Sequence, residues 1–190
     1  MKRRPHRPSA AGVSLDIIIG GFGDRLFGCA RRYAASFGNA HPEREVVYLT
    51  QNRRRQLRAL AEAAGEREVN LIGHSWGAAD ASWLVRNVPR RWGAVIGVDG
   101  VAKPGPWRPC TPNARAVVSV RGTGSEGRLA DGNLTARLGR GLGHAFPEAF
   151  RCERTLRIDA PFAHYDMSRM MRWRGESGTS AEDVLLACRL

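Results

Sequence analysis

A serine attacks a carbonyl carbon only when a neighbouring base takes its proton and its hydroxyl is presented clear of the backbone. The stretch Gly73-His74-Ser75-Trp76-Gly77 has the pattern for such a presentation. It follows the short apolar run Val69-Asn70-Leu71-Ile72 and precedes an alanine-rich, helix-prone segment from Ala78. Strand, sharp turn and helix in that order set Ser75 exposed at the apex, and glycine on both flanks lets the adjoining segments pack closer than a β-carbon permits. A nucleophile of this kind needs a base, an acid that orients the base, and two backbone N–H donors for the oxyanion of a tetrahedral intermediate.

The chain offers five histidines as the base. His6 lies among arginines and prolines near the start, His41 precedes Pro42 in a loop, and His74 adjoins Ser75 but points away from its hydroxyl. His144 lies ahead of the last apolar strand, whereas His164 follows that strand in Ala160-Pro161-Phe162-Ala163-His164, just before a helix. His164 is therefore the expected base. For the acid, Asp99 ends the strand Ala94-Val95-Ile96-Gly97-Val98, while Asp131 and Glu126 sit in the loop after the next strand. Asp99 is the better placed and Asp131 is the alternative; Asp166 diverges from His164, and Asp24 and Asp80 read as capping or helix-surface groups.

The first oxyanion donor is the N–H of Trp76, at a helix start where the dipole favours negative charge. The second is the N–H of Phe22 or Gly21 in the loop Gly20-Gly21-Phe22-Gly23. That loop lacks the Gly-x-Gly-x-x-Gly spacing of a dinucleotide site, and no acidic residue ends the second strand. The four cysteines, Cys29, Cys110, Cys152 and Cys188, are widely spaced and read as free thiols. Neither a cofactor nor a metal is expected.

The elements that must position these residues alternate along the chain. Strands are expected at Ser14 to Ile19, Val46 to Leu49, Val69 to Ile72, Ala94 to Val98, Ala116 to Val120 and Arg154 to Ile158, from short apolar runs. Apolar residues at helical spacing predict a helix through Leu26, Ala30, Tyr33 and Phe37, stopped at Gly38-Asn39. Others follow from Arg54 to Ala64 and from Ala78 to Val88, then around Leu134, Leu138 and Leu142, through Met167, Met170 and Met171, and from Ala181 to Cys188. The last opens on Ser180-Ala181-Glu182-Asp183, a capping-box pattern. Alternation of this kind predicts a three-layer α/β/α sandwich around a mostly parallel sheet of about six strands, with ligands bound beyond the carboxyl ends of the strands.

A length of 190 residues suits one domain, read as residues 13–190 behind a disordered basic arm at 1–12. The 43% hydrophobic and 25% charged fractions are ordinary for a globular protein, and no apolar run reaches the ~18 residues of a membrane span. No apolar leader segment follows the basic start, so a cytoplasmic location is expected. The net charge of +12 comes from scattered arginines, with Lys2 and Lys103 the lysines. Such a surface suits nucleic acid or anionic lipid, but arginine with hardly any lysine also follows from a GC-rich coding bias, which is the favoured reading.

From Ser14 to about Met171 these residues resemble the α/β-hydrolase superfamily, specifically its small, capless, lipase- and esterase-like members such as cutinases. The resemblance rests on Gly73-His74-Ser75-Trp76-Gly77, on Gly20-Gly21-Phe22-Gly23 and on His164 after the last strand. Gly97-Val98-Asp99-Gly100-Val101 is similar to the acid motif of pancreatic lipases without its proline. Most of the superfamily carries the acid one strand later, where Asp131 lies. What the resemblance implies is a minimal fold with no cap domain, an open cleft, and a serine hydrolase of small acyl esters. In it Ser75 is the nucleophile, His164 the base, Asp99 or Asp131 the acid, and Phe22 and Trp76 the oxyanion donors. Phe22, Trp76, Trp107 and Phe162 are candidates for an apolar acyl site. A thioesterase, amidase or peptidase uses the same apparatus. The alternative from another class is a non-catalytic, hydrolase-like binding module with a basic surface.

Overall fold

Consecutive isoleucines and valines suit a strand covered on both faces, because successive side chains point to opposite sides of a sheet. The computed structural model, which describes residues 13–101, 113–124 and 155–188, contains six such strands. They are β1 (Leu15–Gly20), β2 (Glu45–Thr50), β3 (Val69–His74), β4 (Trp92–Val98), β5 (Ala114–Gly122) and β6 (Thr155–Ala160). All pair in parallel, in the order β2-β1-β3-β4-β5-β6. The described helices are α1 (Asp24–Phe27), α2 (Cys29–Ala40), α3 (Arg54–Ala63), α4 (Trp76–Asn87), α5 (Met167–Arg172) and α6 (Ala181–Ala187).

The two-residue period of the strands divides the core. Ile18, Ile72, Ile96 and Val118 stand side by side in register and face Tyr33 and Phe37 of α2, the methionines of α5 and Leu185 of α6. Their neighbours Ile17, Ile19, Leu71, Val95 and Val117 face the other way, onto Leu57 and Ala61 of α3 and onto Ala78, Ala81 and Leu84 of α4. Each fully buried side chain of this size contributes roughly 1.5–3 kcal/mol. The result is an α/β/α sandwich whose sheet is parallel throughout the described strands.

The strand order reverses between β1 and β3: from β1 the chain runs outward to β2, then returns to β3 on the other side. Such a point of reversal, at the carboxyl ends of the strands, is the usual ligand position in an open parallel sheet. Gly21 to Gly23 follow β1 and Ser75 follows β3, so both expected site segments lie at that edge.

One expected helix is corrected. The run from Leu26 to Phe37 is two helices, because Gly28 has φ 62 and belongs to neither. Leu26 is 85% exposed rather than part of the core, and α2 continues through Gly38 and Asn39 to Ala40. The arm at 1–12, Trp107, Glu126, Asp131, the helix around Leu134, Leu138 and Leu142, His144, Cys110, Cys152 and the segments where a cap would insert lie outside the described residues. Among the described residues, no helix is long and apolar enough to cross a membrane.

Candidate active site

Ser75 sits between β3 and α4 with φ 52 and ψ −127, a backbone conformation that side chains other than glycine rarely adopt. Strain of this kind costs on the order of 1–3 kcal/mol and persists only where the surroundings hold it. Here the Ser75 N–H donates to the Val98 carbonyl at 3.0 Å, and the Ser75 carbonyl accepts from the N–H groups of Ala78 at 3.0 Å and Val101 at 3.1 Å. The flanking glycines are required by space: a Cβ on Gly73 would lie 2.5 Å from Ala78 Cα, and one on Gly77 would strike the Ile19 carbonyl.

Contrary to the expectation of an exposed apex, Ser75 is only 5% exposed. The loop after β1 explains this. Its Gly21 runs so close that an added Cβ would meet Ser75 Cβ at 2.6 Å and Ser75 Oγ at 3.1 Å. Gly21 therefore brings the backbone of the donor loop against the serine. Trp76, the first residue of α4, carries one of the N–H groups that a helix cannot satisfy internally. The Trp76 ring lies 5.3 Å from that of Phe22, which is 58% exposed, and Phe27 stacks on Tyr165 at 4.4 Å.

His164 lies in the loop between β6 and α5, and its Nδ1 is 2.6 Å from Asp99 Oδ2, with both residues 1% exposed. A carboxylate accepts and does not donate, so Nδ1 carries the proton of this bond and Nε2 is the ring nitrogen left for other partners. Asp99 is itself held in place. It follows β4 with φ 41, its N–H donates to the Val120 carbonyl at 2.7 Å, and Gly122 N–H donates to its Oδ1 at 3.3 Å. The structure thus joins His164 to Asp99, places Ser75, Trp76, Gly21 and Phe22 together at the carboxyl edge of β1 and β3, and leaves Asp131 outside the described residues.

Other polar residues beneath the site are not where the sequence put them. Asp24 is 2% exposed, no surface cap; its Oδ1 accepts from Ala30 N–H at 2.9 Å and Cys29 Sγ at 3.1 Å, and its Oδ2 from Tyr48. Burial pushes the Asp24 carboxyl up, but these hydrogen bonds outweigh it and hold the group below its ordinary value. Asp80, fully buried on α4, accepts from Asn52 N–H at 2.6 Å and Arg54 Nε at 3.0 Å and so ties α4 to the turn after β2. Both corrections have one cause: a carboxylate facing donors on another segment is buried at little cost.

Asp24, Cys29 and His74 offer ligand-type atoms within 4.8 Å of one another. Burial and the neighbouring Asp24 carboxylate push the Cys29 thiol up to about 12, against the thiolate a metal requires. Cys29 instead keeps its proton and donates it to Asp24 Oδ1, with its sulfur packed 3.5 Å from His74 Nδ1. The only sequence signal for this group was the polarity of Asp24 and Tyr48 beside glycine-rich and apolar runs.

No protein-family model matches the chain, and no curated protein matches it. Among solved structures, the chain is similar to the "putative cell surface hydrolase" from Lactobacillus plantarum WCFS1, with a TM-score of 0.52 and 10% sequence identity over 94% of this chain and 98% of that one. At that identity the likeness is one of fold: a hydrolase-like α/β architecture.

Proposed function

We propose that this chain is a serine hydrolase of carboxylic esters that works through an acyl-enzyme on Ser75. The observation that carries the reading is the buried Asp99–His164 pair at 2.6 Å, set at the same sheet edge as a serine in a strained strand-to-helix turn. Nothing in the packing of the sheet needs a histidine and a carboxylate there, whereas general-base catalysis does.

In the proposed reaction Ser75 Oγ attacks the ester carbonyl while His164 Nε2 takes its proton. The imidazolium that forms is stabilised by Asp99, and the oxyanion is held by the N–H groups of Trp76 and of Phe22 or Gly21. Collapse of the tetrahedral intermediate breaks the ester C–O bond, and His164 returns the proton to the departing alcohol. Water, deprotonated by His164, then attacks the acyl-enzyme and releases the acid. The Phe22–Trp76 ring pair beside the serine suits a small acyl group.

The test is a panel of p-nitrophenyl esters of graded chain length, with thioester and anilide counterparts, alongside labelling by a fluorophosphonate probe. Ser75→Ala abolishes labelling and lowers ester turnover by ~10³-fold or more, and Asp99→Asn lowers it comparably while Asp131→Asn does not. Faster thioester or anilide turnover would move the reading to a thioesterase or amidase. Folded protein that resists the probe yet binds nucleic acid with a steep salt dependence would replace it with the binding module.

A further inference from the structure

We infer that His74 is a positioning residue for His164, its ring seated against a buried group formed by Cys29, Asp24 and Tyr48. Its kinetic consequence rests on the hydrolase reading above; its geometric consequence does not.

The loop that carries His164 is bonded on either side of it, where the Phe162 carbonyl accepts from Gly124 N–H at 3.2 Å and the Ala163 carbonyl from Asp166 N–H at 2.9 Å, and a base carried on a loop gains from an anchor at its own peptide. His74 supplies one. Its Nε2 lies 2.8 Å from the backbone carbonyl oxygen of His164, and the two rings are 4.7 Å apart at 34°. A carbonyl only accepts, so His74 Nε2 carries the proton and donates. The Nδ1 of the same neutral ring then presents a lone pair, and Cys29 Sγ packs against it at 3.5 Å with its single S–H turned to Asp24. Cys29 Sγ in turn lies 3.1 Å from Asp24 Oδ1, which also accepts from Ala30 N–H, and Tyr48 O–H donates to Asp24 Oδ2. Burial, then the nearby His164, lowers His74 to about 4, so the ring stays neutral in the tautomer that donates.

Each of these four residues stands on a different element: Tyr48 on β2, Asp24 on α1, Cys29 on α2 and His74 on β3. Together they fix the His164 peptide, and with it the direction in which the His164 ring leaves the chain toward Asp99. His74 is also the residue before Ser75. One short stretch therefore holds the nucleophile's strained backbone and the base's carbonyl, which couples the two positions without His74 touching the reacting atoms.

Two substitutions separate positioning from space-filling. His74→Phe keeps the ring's bulk and removes the donor, while His74→Gln restores an amide N–H near the Nε2 position. The geometric readout is the low-field proton resonance of His164 Nδ1–H in the bond to Asp99, followed in the whole folded chain. It is lost or broadened by exchange in His74→Phe and retained in His74→Gln. The kinetic readout is ester turnover: kcat falls ~100-fold in His74→Phe with KM within about twofold, and the glutamine recovers at least about tenfold. Tyr48→Phe, which removes a donor to Asp24 behind Cys29 and His74, broadens the same resonance by less, and serves if His74→Phe does not fold.

A resonance and kcat unchanged in His74→Phe would overturn the inference, as would a glutamine variant no better than the phenylalanine one. So would a zinc-dependent rise in melting temperature that Cys29→Ala removes, which would make the trio a metal centre. A wild-type chain that shows the resonance and its dependence on His74 but cleaves no ester would sink the hydrolase reading and support the positioning role.

Discussion

Ser75, Asp99 and His164 owe their arrangement to backbone contacts as much as to side chains. Ser75 at φ 52 and Asp99 at φ 41 both sit in the left-handed half of φ space, each just past the end of a strand. Val98 accepts the Ser75 N–H, and Val120 accepts that of Asp99, so each residue is tied to the strand next to its own. Gly21 is where this precision is most exposed to change. A methyl group there would sit 2.6 Å from Ser75 Cβ and 2.7 Å from the His74 carbonyl, with no flexible atom to give way. Gly21→Ala is therefore expected to displace the donor loop, lowering kcat on a p-nitrophenyl ester ~100-fold and costing about 1–3 kcal/mol of stability in urea titration. In the sequence, Ser75 and Gly21 are recognisable because local backbone demands select glycine around them. The burial of Asp24 is not, because nothing near it in the chain shows that Tyr48 and Cys29 will converge on it.

The elements behave as the periodicities require, with one departure that carries a physical reason. Met167, Met170 and Met171 all fall on the buried face of α5, as their spacing predicts. The helix through Leu26 does not hold together, although Leu26, Ala30, Tyr33 and Phe37 keep helical spacing; glycine at position 28 takes φ 62 and starts a new axis there. Helix α6 shows a cap legible from residue types alone. Ser180 Oγ accepts from Asp183 N–H at 3.0 Å, and Asp183 Oδ2 accepts from Ser180 N–H at 3.0 Å. These bonds hold the Asp183 carboxyl below its ordinary value. Through α6 the cap seats Leu185 against the core and Glu182 within 3.1 Å of the Tyr33 hydroxyl. Ser180→Ala should cost about 1 kcal/mol, seen as a lower denaturation midpoint with an unchanged slope, and leave ester turnover unaffected.

For the whole molecule, buried titratable groups set the response to acid. His74 is lowered to about 4 from 6.5, first by burial and then by His164, and Asp24 is also lowered. Both bind fewer protons folded than unfolded, so the stability they contribute is full above pH 6.5 and is lost as the pH falls toward 4 and then through the Asp24 range. The His74 share is on the order of 3 kcal/mol. Denaturant titrations from pH 7 to pH 4 should show this loss, and His74→Gln should flatten it. The charge of +12 is also partly structural. Arg44 is bonded to buried Asp16 at 2.5 and 2.8 Å, Arg54 to Asp80, Arg67 to Glu45, and Arg90 to the carbonyls of Ala61 and Arg67. These arginines brace elements and are not part of a free basic surface.

By itself the sequence determined the alternation of strands and helices, the strained turn at Ser75, the cap at Ser180 and the place of His164 after the last strand. Each of these follows from backbone geometry or side-chain period within a few residues, where local sterics act. Only the tertiary structure decided that Asp99 meets His164, that Ser75 is covered by the loop at Gly21, and that His74 reaches the His164 carbonyl. Those meetings depend on strand order and register, with β4 beside β3 and β1 at the point of reversal. Packing across the sheet sets these, and no spacing along the chain encodes them.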